Sequence, residues 1–437
     1  MEPGFSPRTA MAVVVANMIG TGVFTSLGYQ LLDIRSGFVL LLLWVVGGIT
    51  ALCGALTYAE LGSALPRSGG EYNFLSRIYH PAAGFISGWV SATIGFAAPT
   101  ALAAITFGEY LTAVFPFLSP TWLAVGLVLA LTLVHASTRR NSGGLQRAFT
   151  LVKVTLIVVF CVLSWLLVAT PQDEVNFLPA PGDASLILSG GFAVALIFVN
   201  YAYTGWNAAT YLTGELERPQ STLSVVLIRA TLLVMLLYVL LNFTFLYVAP
   251  MSEMAGQLEI GYIAAAHVFG EMGGAIMGIA LAALLISTVS AMVMAGPRVL
   301  QIIGQDFAAF RPLARTNRHD VPTTAILFQS LITVLFIVTA SFESILVFAG
   351  FTLGVNTLFT VLGVFVLRAR APDLPRPYRI PLFPLPPLVF LGITGWTLAY
   401  ILKDRPEEGL MGLGIIASGA LFYGLTLWFG HRRGRFD

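Results

Sequence analysis

Charge is what this sequence has least of. Lysine, arginine, aspartate and glutamate make up 10% of its 437 residues, against about 25% in soluble domains, so an exterior solvated on all sides is excluded. Cysteine is nearly missing too. Cys53 and Cys161 both lie in apolar runs, which leaves no basis for a disulfide framework or a thiolate metal cluster. No His/Cys/carboxylate group has metal-ligand spacing, and there is no glycine-rich phosphate loop with a lysine. Metal catalysis and ATP-driven work therefore lack support, and no cofactor is expected. Nor is a cleavable signal peptide expected, because Met1 to Arg8 leads into a segment that is too long and has no small-residue cleavage pattern.

What the chain does have is apolar length. It is 57% hydrophobic, with a mean hydropathy of +0.85. Apolar segments of about 18 to 25 residues, enough to cross a bilayer, fall near 10–32, 38–63, 82–114, 121–138, 148–169, 187–212, 224–248, 264–298, 322–341, 345–369, 383–402 and 410–430. These twelve predict an all-α polytopic membrane protein. The third and eighth are long enough to tilt or to continue outside the membrane.

Arginine then sets the orientation. With a cytoplasmic amino terminus and alternating sides, Arg8, Arg67, Arg77, Arg139, Arg140, Arg147, Arg218, Arg229, Arg298, Arg311, Arg315, Arg318, Arg368, Arg370, Arg376, Arg379, Arg432, Arg433 and Arg435 fall inside. Arg35, Lys403 and Arg405 fall outside, along with acidic residues such as Asp173, Glu174, Asp183, Glu253, Glu259 and Glu343. This bias predicts both termini in the cytoplasm, for a multi-pass protein of the inner (cytoplasmic) cell membrane. Lys153 breaks the pattern. It follows Arg147 by six residues, which puts it about 9 Å deeper along a helix, within the hydrocarbon.

Two segments are interrupted near their centres. The first contains Asn17 to Thr25, with Gly20 and Gly22 flanking Thr21; each glycine costs a helix roughly 1 kcal/mol relative to alanine. The sixth contains Asn200-Tyr201-Ala202-Tyr203-Thr204-Gly205-Trp206-Asn207. Unwound backbone at membrane depth is tolerated only where protein or a water-filled cavity satisfies it. The interruptions are five spans apart, so the two segments enter from opposite faces. Two five-helix units of inverted topology are expected to behave so, with a substrate site where their broken helices meet. The competing reading is that Gly20, Gly22 and Gly205 merely let helices pack closely.

Helix ends supply the chemistry. After the break at Gly22 the outer half of segment one opens with free N–H groups and a partial positive charge, suited to a carboxylate. The outer half of segment six ends in carbonyls around Tyr201 to Thr204, suited to an ammonium, and its inner half restarts near Gly205. An α-amino acid satisfies both ends without a charged side chain, and neither break has an acidic or basic residue close to it in sequence.

The Gly20-Thr21-Gly22-Val23-Phe24 run resembles a motif of the amino acid–polyamine–organocation (APC) superfamily of transporters. So do Tyr58-Ala59-Glu60-Leu61-Gly62 with Pro66-Arg67-Ser68-Gly69-Gly70-Glu71-Tyr72, Gly205-Trp206-Asn207 with Gly214-Glu215 and Pro219, and Ala295-Gly296-Pro297-Arg298. Within that superfamily the chain is similar to the L-type amino acid transporter branch. The resemblance covers essentially the whole chain. It implies a five-plus-five inverted repeat within a single membrane domain, with helices 1 and 6 broken at midplane. The first repeat is 1–170, the second 187–369, and two extra C-terminal helices occupy 383–431. It also implies alternating access, a carboxylate cradle at Gly20, Thr21 and Gly22, and carbonyls of Met18, Ile19, Tyr201, Ala202 and Thr204 turned to the amine, with Gly205 at the second break. Tyr201 matches an aromatic gate. Trp206 reads as packing, and Asn207 stands where some antiporters carry a glutamate, so no mechanism needing that acid is expected.

By length alone Lys153 could snorkel to the cytoplasmic face. The resemblance implies instead that its ammonium replaces a sodium ion, bridging the first break near Asn17 and Met18 to segment eight, with Ser287 and Thr288 as candidate partners. Glu109 is expected at an external vestibule and His135 at a solvated interface, while Asn242, Gln329 and Asn356 are expected to bond between helices. The chain thus reads as a sodium-independent secondary transporter of amino acids, an exchanger or proton-coupled. Neutral L-amino acids are favoured because no carboxylate is expected at the site. Its partners are the substrate and the bilayer, with protons a further candidate and no nucleic acid; oligomeric state leaves no mark in the sequence. A cationic amino-acid or polyamine carrier is the alternative and would need Glu109 to reach the pocket. A channel would show a polar stripe along several helices, a receptor an appended signalling domain, and an enzyme a cluster of catalytic groups at one depth; none is evident.

Overall fold

The computed structural model describes residues 6–137, 143–172, 175–216, 218–318 and 321–433; Arg139, Arg140, Asp173, Glu174 and Arg435 lie outside them. Ser6 caps the first helix by accepting the Thr9 N–H, and Pro7 follows at a position where no N–H is missed. That helix, α1 (Pro7–Met18), stops at the first glycine pair and resumes as α2 (Gly22–Asp33). Next come α3 (Gly37–Ala64), a short α4 (Glu71–Ile78) and α5 (Pro81–Val90), which passes through a π-turn at Ser91–Gly95 into α6 (Ala97–Val114). α7 (Pro120–Ser137) and α8 (Gly143–Leu167) complete the first half.

In the second half a five-residue α9 (Asp183–Ile187) precedes α10 (Gly190–Ala202), which breaks and continues as a 3-10 segment, Ala208–Glu215. Then follow α11 (Pro219–Val248), a one-turn α12 (Met251–Met254), α13 (Ile260–Asp306), α14 (Thr323–Thr339), α15 (Phe342–Arg370), α16 (Leu385–Asp404) and α17 (Pro406–Arg433). Among the described residues, ten helical runs are long and apolar enough to cross a bilayer, and α10 and α14 are shorter apolar helices. α10 is short because its chain unwinds after Ala202. The excess length of the eighth segment is not tilt alone: α13 bends at Gly270, whose φ of 75° lies outside helical space.

Large apolar side chains face outward along α7, α8 and α17, among them Trp122, Leu133, Leu151, Leu166 and Leu421. A surface of that kind suits hydrocarbon, and the protein is a multi-pass membrane protein. Inside, α3 packs on α11, α6 on α13 and α7 on α14, while α1 lies against α8 and α10 against α15. α16 and α17 cover this core from one side, resting on α3, α5, α10 and α15.

One ion cluster ties the first half to the second. The buried Glu60 carboxylate on α3 accepts Arg368 Nε at 2.8 Å, Arg368 NH2 at 2.6 Å and the Ile380 N–H at 2.8 Å, with Arg376 Nε 3.7 Å away. Removing one partner of such a buried pair costs roughly 3–5 kcal/mol. The more exposed Arg405–Glu343 pair belongs to a class worth about 0–1 kcal/mol.

Candidate functional site

Both breaks are short and internally bonded. In the first, the Ile19 N–H closes α1 on Val15 O at 2.9 Å, Gly20 N–H turns back onto Met18 O at 2.8 Å, and Phe24 N–H bonds Thr21 O at 2.9 Å. In the second, Tyr203 and Thr204 N–H bond Val199 and Tyr201 carbonyls, Gly205 takes φ +98°, and the Ala208 N–H restarts the chain on Gly205 O at 2.9 Å. Positive φ at that point favours glycine.

The breaks press on each other. A Cβ on Gly22 would lie 2.6 Å from Ala202 Cα, and one on Gly205 would lie 2.8 Å from the Asn17 carbonyl carbon. A Cβ on Gly20 would meet nothing nearer than Met18 O at 4.0 Å. Close packing therefore accounts for Gly22 and Gly205, whereas Gly20 borders open space. Between the breaks stands Tyr238 of α11, fully buried, its hydroxyl 2.5 Å from Met18 O and 3.0 Å from Ala202 O. Trp44 and Tyr203 pack against its ring. A buried phenol in the middle of an apolar span needs a bonding partner, and the carbonyls of the two breaks supply it.

Lys153 does not snorkel. Its side chain is buried, and Nζ donates to Ile19 O at 3.0 Å and Thr288 Oγ1 at 2.9 Å. The bridge from the first break to segment eight is thus made through Ile19 rather than Asn17 or Met18, whose expected roles are corrected here. Asn17 bonds Val13 O in its own helix. Ser287 is corrected as well: its buried hydroxyl has no partner among the described residues, because Thr288, one residue on, occupies the position facing the lysine.

A cavity of about 140 Å³ opens between the breaks, where Met18, Gly20, Thr21, Gly22, Tyr201, Ala202, Thr204 and Gly205 all line it. One water needs about 10–15 Å³ on the same measure, so the space suits a small organic molecule. Ile19 lies behind the wall, toward Lys153. Each carbonyl has two lone pairs. Met18 O takes both Gly20 N–H and Tyr238, and Tyr201 O takes both the N–H and the hydroxyl of Thr204. Ile19 O carries one bond, from Lys153, and Ala202 O receives only a share of the single Tyr238 proton whose shorter contact is to Met18 O, so each keeps a lone pair. Among the described residues the N–H groups of Thr21, Gly22 and Val23 donate to nothing in the chain, while that of Gly20 is spent on Met18. The free donors sit one residue later than the expected cradle.

The expected absence of a carboxylate is wrong. Glu71, in the first turn of α4, lines the cavity and is buried. Its Oε1 accepts Tyr58 OH at 2.9 Å and Asn207 Nδ2 at 2.5 Å, and Oε2 accepts Tyr211 OH at 2.5 Å. The loop before α4 brings it there through Gly69 and Gly70, at φ 118° and 52°, with the Gly70 N–H on Thr210 O. Proximity to the breaks in sequence was the wrong measure, because α4 folds back beneath the second one.

Glu109 shares a separate cavity with Tyr29, Leu258 and Phe342 and does not reach the central one. His135 is part-buried against α13, its Nε2 2.8 Å from Ser290 Oγ. Gln329 Nε2 bonds Met292 O between helices, whereas Asn242 bonds Tyr238 O within its own helix. Asn356 lines the central cavity, and Trp206 stacks edge-on against Tyr58 at 4.6 Å.

Residues 5–405 match the amino acid permease family. The chain belongs to that family, within the APC superfamily. Over 97% of its length it is 30% identical to the large neutral amino acids transporter small subunit 2 of Rattus norvegicus, covering 80% of that protein. It is 26% identical to the b(0,+)-type amino acid transporter 1 of Mus musculus, across 96% of this chain and 87% of that one. To the serine/threonine exchanger SteT of Bacillus subtilis (strain 168) it is also 26% identical, over 95% of each. This permease is a secondary transporter of amino acids and not an enzyme.

Proposed function

We propose that this permease exchanges amino acids across the cytoplasmic membrane by alternating access and without sodium, with both termini in the cytoplasm. The observation that carries the reading is the buried Lys153 ammonium, held between Ile19 O of the first break and Thr288 of α13. It supplies a fixed positive charge where a cation would otherwise be needed to join a broken helix to its neighbour. Substrate binds between the breaks. Its carboxylate meets the N–H groups at the start of α2, where the helix dipole favours negative charge, and its ammonium meets the free lone pair of Ala202, which lines the cavity. Tyr201 closes over it as a gate.

The packing pattern supports two repeats, 1–170 and 187–369, with 383–431 peripheral. α3/α11, α6/α13 and α7/α14 are each pairs five spans apart, and α1/α8 has its counterpart in α10/α15. Neutral side chains, including those named for the large neutral amino acid and serine/threonine relatives, fit the cavity's mainly apolar wall. The test is uptake of labelled leucine or serine into proteoliposomes preloaded with unlabelled amino acid. Preloading should stimulate uptake, and choline should replace sodium without effect. Dependence on sodium would overturn the role given to Lys153, and uptake that follows a pH gradient but ignores internal amino acid would replace exchange by proton coupling.

A further inference from the structure

Two buried glutamates stand eleven residues apart, from Glu60 to Glu71, and their surroundings differ. Glu60 has Arg368 and Arg376 beside it. Glu71 is equally buried, at 1% exposure, yet no basic side chain pairs with it among the described residues. It is also the one Asp, Glu, Lys, Arg or His among the residues described as lining the central cavity. Three donors face it, from Tyr58, Asn207 and Tyr211, and that is the bonding pattern of an ionised carboxylate, an acceptor with about four lone-pair sites. Three of those sites are filled, and one on Oε2 is left. A buried charge held only by neutral donors is costly until an opposite charge arrives.

We propose that Glu71 is a specificity-determining residue of this permease: its carboxylate receives the cationic end of a substrate side chain and turns away anionic ones. The inference rests on the transport reading above and names the side-chain end of the same site. Position supports it. The α-carboxylate and α-ammonium are satisfied at the breaks themselves, whereas Glu71 is anchored to Asn207 and Tyr211, in the stretch that leads away from the second break. A side chain extending past Gly205 meets this carboxylate. Asn207 and Tyr211 act as positioning residues, holding both oxygens by their donors.

Lysine and norleucine differ at the side-chain end by the ammonium alone, so their competition against labelled leucine exchange isolates the charge. In proteoliposomes of the wild-type permease, lysine should compete at least tenfold more strongly than norleucine, and glutamate should not compete. Glu71→Gln should collapse that lysine-to-norleucine ratio toward one, whatever happens to absolute rates, and Glu71→Asp should keep lysine the better competitor. Leucine exchange in which lysine has no advantage over norleucine overturns the proposal and leaves the transport reading intact. An unchanged ratio in Glu71→Gln overturns it too. Should Glu71→Gln fail to insert, the wild-type ratio decides alone. Absence of exchange with any amino acid removes the transport reading first, and this one with it.

Discussion

At the first break Gly22 brings its α-carbon against Ala202, and at the second Gly205 adopts positive φ against the carbonyl of Asn17, so each glycine exists for the other helix. Gly20, two residues before Gly22, touches neither and borders the cavity. The breaks are also held differently. The first is tied to α8 and α13 through Lys153 and to α11 through Tyr238, whereas the second shares only Tyr238 among these ties. Identical residues in similar motifs therefore stand in two different settings: packing, where backbones meet, and clearance, where the cavity opens.

Substitutions can break that comparison. Lys153→Ala removes a buried charge-assisted tie worth about 1.5–3 kcal/mol from the first break alone, and exchange should fall by about tenfold to a hundredfold in proteoliposomes. Normal rates would show that the first break needs no such tie. Gly205→Ala and Gly22→Ala both overpack the contact, each at about 1–3 kcal/mol, with Gly205→Ala the worse because its φ also penalises a side chain. Thermal unfolding of the purified variants should rank them in that order, and two wild-type midpoints would deny the backbone contact.

Tyr238→Phe should cost about 1 kcal/mol and weaken both breaks together, read as a lower midpoint with a reduced exchange rate. A midpoint equal to wild type would mean that the hydroxyl does not link them. Gly20→Ala should be the mildest for folding, with a stability within about 0.5 kcal/mol of wild type and so a nearly unchanged midpoint, while leucine binding weakens as the methyl enters the cavity. If Gly20→Ala destabilised the protein as much as Gly22→Ala, the division between packing and clearance would fail.

Much of this was legible beforehand, for identifiable reasons. A membrane span announces itself by length and hydropathy, and a break by glycines inside it; both are local signals. Lys153 stood out because a charge at that depth is expensive, and Thr288 was among its two expected partners. Ser287 could not be separated from Thr288 without knowing how α13 is turned. Glu71 stayed hidden because a glutamate beside Ser68-Gly69-Gly70 reads as a surface loop until α4 is seen to fold back under the second break. Tyr238 was missed because nothing local distinguishes a packed tyrosine from one that bonds two helix ends.

The sequence by itself determined the all-helical membrane fold, the run of apolar segments and the two points where helices stop, since hydropathy and glycine content act along the chain. Which atoms face the cavity was decided only by tertiary structure. Glu71 meets Asn207 across 136 positions, and Tyr238 reaches Met18 across 220. Contacts between residues so far apart depend on helix rotation and on the approach of two backbones. Those are set by the packing of the whole bundle and by no single segment of it.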